Sequence, residues 1–383
     1  MNSHPKIIIL GTAYPFRGGG ISTYNERLAK AYLDRGEDVE IYTFSLQYPK
    51  FLFPGKTQYS AEAPPPNLLI RIKVNSINPL NWLFVGREIN RLKPQLLIVR
   101  YWMPFMAPCL GSICRIVRKN GFTRIISIAD NINPHEKMPG SRLLTKYFVK
   151  SVDGFITMSK SVLADLATFD VLKPRLYNPH PLYDNFGESV PKKLALEKLG
   201  LDPAFRYMLF FGFIRDYKGL DILLRALGDD RIRKMPIKLI VAGEFYSNPE
   251  TYMKIIDDEG IRDQLVLFNG FIPNTEVRTY FSAADLVVQP YKNATQSGVT
   301  QVAYHFNKPI ITTNVGGLSE TIPDGKVGFI VQPDAVQIAN AIFRFFHNNL
   351  EEEFIKNVMI EKKRFSWDTM LDNISVLATQ ISK

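Results

Sequence analysis

Few side chains in this sequence could hold a metal ion or form a disulfide. Among 383 residues there are two cysteines and five histidines. Cys109 and Cys114 have a spacing that fits neither a zinc nor a redox motif, so they read as small buried apolar side chains of a reducing compartment. No H-E-x-x-H occurs, and no D-x-D falls at a strand end, so no metal is expected. The acidic runs Asp229-Asp230 and Asp257-Asp258-Glu259 read as solvated charges at helix ends. The absence of G-x-x-x-x-G-K-[ST] argues against a P-loop ATPase, and that of G-x-S-x-G against a serine-hydrolase elbow. No apolar run approaches the roughly 18 residues of a membrane span. The opening MNSHPKIIILGTAYPF has only a short apolar run, broken by Gly11, and lacks a cleavage pattern, so no secretion signal is expected. The expected location is cytoplasmic, with peripheral placement at the inner face of a membrane as a variant. Repeats of solenoid length and low-complexity tracts are missing too.

Apolar residues make up 46% and charged residues 22% of the chain, an ordinary globular balance. The length suits two α/β domains of roughly 150–200 residues each. The net charge of +10 is one-sided: residues 1–190 hold 24 Lys and Arg against 14 Asp and Glu, whereas residues 191–383 hold 23 of each. A basic half suits an anionic partner, such as a membrane surface or a phosphorylated substrate; solubility alone is the competing explanation. Nucleic acid is not expected, because the aromatics are not interleaved with Lys and Arg as stacking platforms would require.

The pattern along the chain alternates strand and helix, which argues for parallel sheets wound with helices on both faces. Strand Lys6–Leu10, a glycine-rich loop and a helix with Ile21, Tyr24, Leu28 and Ala31 on one face open a βαβ unit. Residues 49–67, rich in Pro and aromatics, read as an irregular loop. Helices are expected at about 80–92, 105–119 and 141–151. Strands are expected at 96–100, 124–128 and 154–158. The alternation dissolves around Pro174–Pro191 and then resumes, with strands at 207–211, 237–242, 264–268, 286–289, 309–313 and 328–331 and a final helical stretch over about 350–382. The expected fold class is α/β, with two Rossmann-like doubly wound domains facing a central cleft. The domains are drawn at 1–180 and 181–360, with 361–383 as a C-terminal helix crossing back.

Four segments could carry chemistry. Gly18, Gly19 and Gly20 lie between a strand and a helix start, where bare backbone can approach a phosphate or sugar; a plain tight turn is the alternative. They do not match the dinucleotide fingerprint. In Gly212–Gly219, Arg215 and Lys218 stand three apart at a strand end and suit a diphosphate, unless the turn is merely a solvated basic one. Thr295–Val299 opens a helix with Ser297 as a suitable N-cap, leaving the N–H groups of Gly298 and Val299 for a terminal phosphate. Asn314–Glu320 adds the pair Gly316-Gly317 and the carboxylate of Glu320. Three such turns at successive strand ends point to one nucleotide or phosphate site in the second domain.

The sequence resembles the retaining nucleotide-sugar glycosyltransferases of family 4 (glycosyl transferases group 1), which have the GT-B fold. The resemblance rests on the opening glycine loop, GFIRDYKGLDILLRAL, AADLVVQPY, SGVTQVAYHFNKPIITTNVGGLSE and FSW, and it covers nearly the whole chain. It implies that Arg215 and Lys218 hold the donor diphosphate and that Ser297, Gly298 and Val299 take its distal phosphate. Gly18–Gly20 would close on the donor, with Gly212, Gly316 and Gly317 lining it and Glu320 taking the family's glutamate position. Asn293 and Gln301 stand where the family usually has two glutamates, and Gln301 can still bond a ribose hydroxyl. Asp130 sits where many members have a histidine, so Asp130, Asn131 and His135 become candidates on the sugar or acceptor side. The implied reaction moves a sugar from a nucleotide-sugar donor to a glycan or polyprenyl-diphosphate-linked acceptor. It keeps the anomeric configuration by a front-face route and uses neither metal nor cofactor. The alternatives are a non-catalytic sugar-nucleotide or glycan-binding protein and a sugar-nucleotide epimerase.

Overall fold

The computed structural model describes residues 6–17, 20–49, 57–60, 63–132 and 140–381. The chain forms two compact units, residues 1–180 together with 366–383, and residues 181–365.

The first unit runs β1 (Ile7–Leu10), α1 (Ile21–Asp34), β2 (Val39–Leu46), β3 (Leu69–Asn75), α2 (Pro79–Leu92), β4 (Leu96–Tyr101) and α3 (Ala107–Arg118). It continues with β5 (Arg124–Ala129), α4 (Ser141–Val149), β6 (Gly154–Thr157), α5 (Lys160–Ala167) and β7 (Arg175–Tyr177). Its seven strands pair in parallel in the order β3-β2-β1-β4-β5-β6-β7. Central strands such as β1 and β4 are buried throughout, which is why β1 and Leu96–Val99 of β4 read as continuous apolar runs. Helix α2 begins on Asn78, whose side chain accepts from the Leu80 and Asn81 N–H groups, with Pro79 pre-set for the first turn.

The second unit runs α6 (Lys192–Leu199), β8 (Arg206–Phe211), α7 (Leu220–Leu227), α8 (Asp230–Arg233), β9 (Ile237–Gly243), α9 (Pro249–Asp258) and β10 (Leu265–Asn269). It continues with α10 (Asn274–Ala283), β11 (Leu286–Gln289), α11 (Gly298–His305), β12 (Ile310–Thr313), β13 (Gly328–Val331), α12 (Ala335–His347) and α13 (Glu351–Glu361). Its six strands lie in the order β10-β9-β8-β11-β12-β13. Helix α7 is strongly amphipathic and sets Leu220, Leu223, Leu224 and Leu227 into the core.

Three features differ from the sequence reading. β3 and β7 were not expected. The first is an edge strand that alternates Ile70, Ile72 and Val74 with Arg71, Lys73 and Asn75; the second has three residues between Pro174 and Asn178. The final helical stretch is broken in two. Helix α13 ends at Glu361, Lys362–Phe365 form a 3-10 turn, and α14 (Trp367–Gln380) starts on Ser366, whose hydroxyl accepts from the Thr369 N–H. Helix α14 belongs to the first unit. There it buries Trp367, Met370, Leu371, Ile374 and Leu377, the spacing of one helical face.

Candidate functional site

In the second sheet the strand order reverses between β8 and β11, and a parallel sheet opens a crevice beyond the strand C-termini at such a point. The turns after β8, β11 and β12 meet there. Gly219 takes φ +68, and a Cβ on it would fall 1.9 Å from the Pro290 carbonyl oxygen. Gly316 takes φ +50, and a Cβ would fall 1.7 Å from the Ala294 oxygen. The Gly317 N–H donates to the Thr295 oxygen at 3.2 Å and the Lys292 N–H to the Tyr217 oxygen at 2.7 Å. The three expected turns therefore form one backbone-to-backbone assembly, which only glycine permits at its two tightest contacts.

Lys218 lies within this assembly. It closes a short 3-10 turn, Asp216–Lys218, and its side chain is buried. The space left by Gly212 admits its ammonium: a Cβ there would be 3.1 Å from Lys218 Nζ and 3.9 Å from Val299 Cγ2. The ammonium stands 5.7 Å from the Tyr291 ring centroid and has no hydrogen bond or ion pair among the described residues. Burial, with the nearby Arg215 charge, pushes its pKa down to about 7. The adjacent carboxylates of Asp216 and Asp221 are instead held by Lys292, at 2.9 and 3.0 Å. Arg215 is exposed, with its guanidinium 5.1 Å from the Tyr246 ring.

Ser297 occupies the N-cap position of α11 with extended backbone, but its hydroxyl caps nothing. It is drawn back by Gln289 Nε2 at 3.2 Å and lies 3.3 Å from the Tyr291 hydroxyl. The expected side-chain cap is thus absent, which leaves the first-turn N–H groups without that partner. Gly298 is required by packing, since a Cβ there would be 2.6 Å from the Tyr183 ring. Gln289 Oε1 accepts from Thr300 Oγ1 at 2.8 Å. Gln301 is buried, and its Oε1 has no partner among the described residues. Asn293 is exposed, and Glu320 is half-buried in the turn Ser319–Thr321. Tyr183, Gln289, Tyr291 and Lys292 escaped the sequence reading. Gln289 and Tyr291 both lie at the end of AADLVVQPY, a motif that could have drawn attention to them; Tyr183 and Lys292 lie outside it.

In the first unit the strand order reverses at β1 and β4. The segment after β1 is clamped: Asn25 Nδ2 donates to the Thr12 oxygen at 2.8 Å, the Tyr14 N–H to Glu26 Oε1 at 2.8 Å, and the Ala13 N–H to Thr43 Oγ1 at 2.9 Å. Gly20, at φ +45, precedes α1; Gly18 and Gly19 lie outside the described residues, as does His135. Asp130 follows β5, but its carboxylate is gripped by Arg100 through two bonds of 2.6 Å, both side chains being buried. Arg100 in turn lies 3.8 Å from the Tyr24 ring centroid. Asp130 is therefore part of a buried ion pair rather than an open carboxylate. Asn131, beside it, is half-buried. Among the described residues no group of three or more His, Cys, Asp or Glu is placed to hold a metal ion.

Residues 206–348 match the family described as glycosyl transferases group 1. The match marks one domain of the chain as similar to that family. This domain spans β8 to the end of α12 and so contains Arg215, Lys218, Ser297 and Glu320. The D-inositol 3-phosphate glycosyltransferase of Thermobifida fusca is 24% identical over 93% of this chain and 87% of its own length. That of Acidothermus cellulolyticus is 26% identical over 47% of this chain, and the match spans 42% of the relative's length. Among solved structures, the sucrose-phosphate synthase of Thermosynechococcus elongatus superposes with a TM-score of 0.71 at 17% identity, covering 98% of both chains. Anabaena HepE in complex with UDP-glucose gives a TM-score of 0.73 at 16% identity, covering 98% of this chain and 99% of that one. At these identities the likeness is one of fold: the group 1 domain is the second half of a GT-B chain built of two doubly wound sheets.

Proposed function

We propose that the protein is a retaining glycosyltransferase that moves a sugar from a nucleotide-sugar donor to a glycan or polyprenyl-diphosphate-linked acceptor at an anionic membrane surface, without a catalytic metal. The observation that carries this reading is the buried Lys218 ammonium, unpaired among the described residues, beside Gly212 and the start of α11. A buried cation without a counter-charge is costly, and an arriving diphosphate removes that cost. The names of the group 1 relatives and the UDP-glucose complex of the HepE neighbour support a nucleotide-sugar donor.

In this reading the bond from the anomeric carbon to the leaving phosphate oxygen breaks, and the acceptor oxygen bonds to the same face of that carbon. The acceptor's proton passes to the leaving diphosphate. Negative charge grows on the diphosphate, and Arg215, Lys218 and the first-turn N–H groups of α11 stabilise it there. Buried Gln301, with a free Oε1, is the candidate for a ribose hydroxyl. Glu320 and His135 are assigned to the sugar, Asn293 to the donor and Asn131 to the acceptor side by resemblance. A melting panel with UDP, GDP, ADP and TDP and their sugars tests the donor site, since a ligand of the native state raises the transition temperature. A shift with one diphosphate, followed by turnover of its sugar, supports the transferase. A shift without any turnover or hydrolysis identifies a binding protein, and no shift with any of them overturns the reading.

A further inference from the structure

Parallel strands place helix C-termini and the turns that follow them at the edge of the sheet opposite the strand C-termini. In the first unit the turns after α3, α4 and α5 gather at that edge, where Arg118, Lys119, Lys150 and Lys173 stand at the helix ends and in the turns. Helices α2, α3 and α4 carry Arg87, Arg91, Arg115, Arg118, Arg142 and Lys146 but one acid, Glu88, which Lys73 and Tyr42 engage. Arg115, Arg118 and Lys119, with Ser112, Ile116 and Tyr147, line a shallow concavity of about 570 Å³ between α3 and α4.

The cations there are held in place. Arg115 lies 4.4 Å from the Tyr147 ring and donates to the Tyr147 carbonyl at 3.1 Å, while its buried Nε has no partner. Arg118 donates to the Lys150 carbonyl at 3.2 Å, and Lys173 Nζ to that of Val149. Lys119 and Lys150 form no ion pair among the described residues. The two carboxylates at this edge are engaged. Asp153 takes Arg118 at 3.3 Å and the Ile125 N–H at 2.9 Å, and Asp170 accepts from the Leu172 and Lys173 N–H groups at 2.9 and 2.8 Å.

That last pair of bonds shapes the turn after α5 so that Val171 and Leu172 form its tip. They are 73% and 91% exposed, and Leu172 is the most exposed large apolar side chain of the described residues. Lys173 ties the same turn to the end of α4. An aliphatic tip beside fixed cations and a basic concavity matches a bilayer surface: acyl chains take the tip, and anionic headgroup phosphates take the cations. A folded protein partner would instead call for aromatic anchors in a packed patch.

We propose that the edge formed by Arg115–Lys119, Lys150 and the Val171–Leu172 turn is an anionic-lipid docking surface, on the side of the first sheet away from the strand C-termini that carry the Gly20 loop and Asp130. This deepens the proposed function by giving the membrane contact a location, and it is tested without turnover, so the two can fail separately. The full chain is floated with phosphatidylcholine vesicles, with and without a third of phosphatidylglycerol. Wild type is expected to float only with the anionic vesicles and to be released by salt. Val171→Ser with Leu172→Ser is expected to weaken binding several-fold, and Lys119→Glu with Lys150→Glu about tenfold or more. All variants should keep the wild-type melting temperature. Equal binding to neutral vesicles, or wild-type binding by both double variants, overturns the proposal. So does loss of binding only in Leu80→Ser with Phe84→Ser, which changes exposed residues at the opposite end of α2.

Discussion

Lys218 is the residue whose chemistry depends most on its surroundings. Its folded pKa of about 7 lies below the ordinary 10.5. Between those values the unfolded chain holds a proton that the folded chain does not, so this residue's contribution to stability rises with pH across that window; below pH 7 the cost of the buried charge is present in full. Lys218→Met should therefore raise the melting temperature slightly at neutral pH while lowering turnover by about a hundredfold or more, the loss typical of removing one donor to developing charge. Normal turnover in Lys218→Met would remove Lys218 from the mechanism. A diphosphate returns the proton, so binding at pH 8–9 should take up a proton in wild type and none in the variant. Calorimetry in two buffers of different ionisation enthalpy measures that uptake. None of this was readable from the turn Arg215–Lys218 alone. A sequence shows a Lys near an Arg; which one is buried depends on Gly212, at the start of the same turn, and on Tyr291, which comes from another strand end.

Elements were legible in proportion to their burial. Central strands buried on both faces, such as β1 and the Leu96–Val99 part of β4, gave unbroken apolar runs, and every strand of the second sheet was read to within two residues. Edge strands answer to one neighbour and to solvent, and β3 and β7 were not read as strands. Helix α11 shows the same limit at its start. The position of Ser297 was readable, but the loss of its cap to Gln289 and Tyr291 follows from tertiary contacts. The turn after β12 gives a test at this scale. Gly316→Ala combines a left-handed φ with a 1.7 Å overlap on Ala294 and must push the turns apart. It should cost about 1–3 kcal/mol of stability and weaken nucleoside diphosphate binding, whereas Gly325→Ala, where a Cβ meets nothing within 4 Å, should leave that binding unchanged. Equal affinity in both variants would show that the assembled turns do not shape the site.

At the scale of the molecule, two units are joined by a chain that leaves the first at His180 and re-enters it at Ser366. The FSW sequence marks the return. Phe365 ends the second unit, Ser366 caps α14, and Trp367 packs 5.0 Å from the Tyr24 ring, with the Arg27 guanidinium 5.1 Å from its own. Arg35 adds bonds to Asp368 and Asp372. Trp367→Ala should therefore destabilise the first unit by about 3 kcal/mol or more, although Trp367 is far from it in sequence. The three tryptophans, Trp82, Trp102 and Trp367, all belong to that unit. Tryptophan fluorescence consequently follows the unfolding of the first unit alone, while far-ultraviolet circular dichroism follows both. Trp367→Ala should lower the denaturant midpoint seen by fluorescence more than that of the residual dichroism transition. A nucleoside diphosphate held by Lys218 and the start of α11 should do the reverse, raising the dichroism midpoint and moving the fluorescence midpoint less. If the diphosphate moves both probes equally in wild type and in Trp367→Ala, the two units unfold as one cooperative body. If it moves fluorescence alone, the diphosphate binds the first unit, and the site built on β8, β11 and β12 is not the donor site.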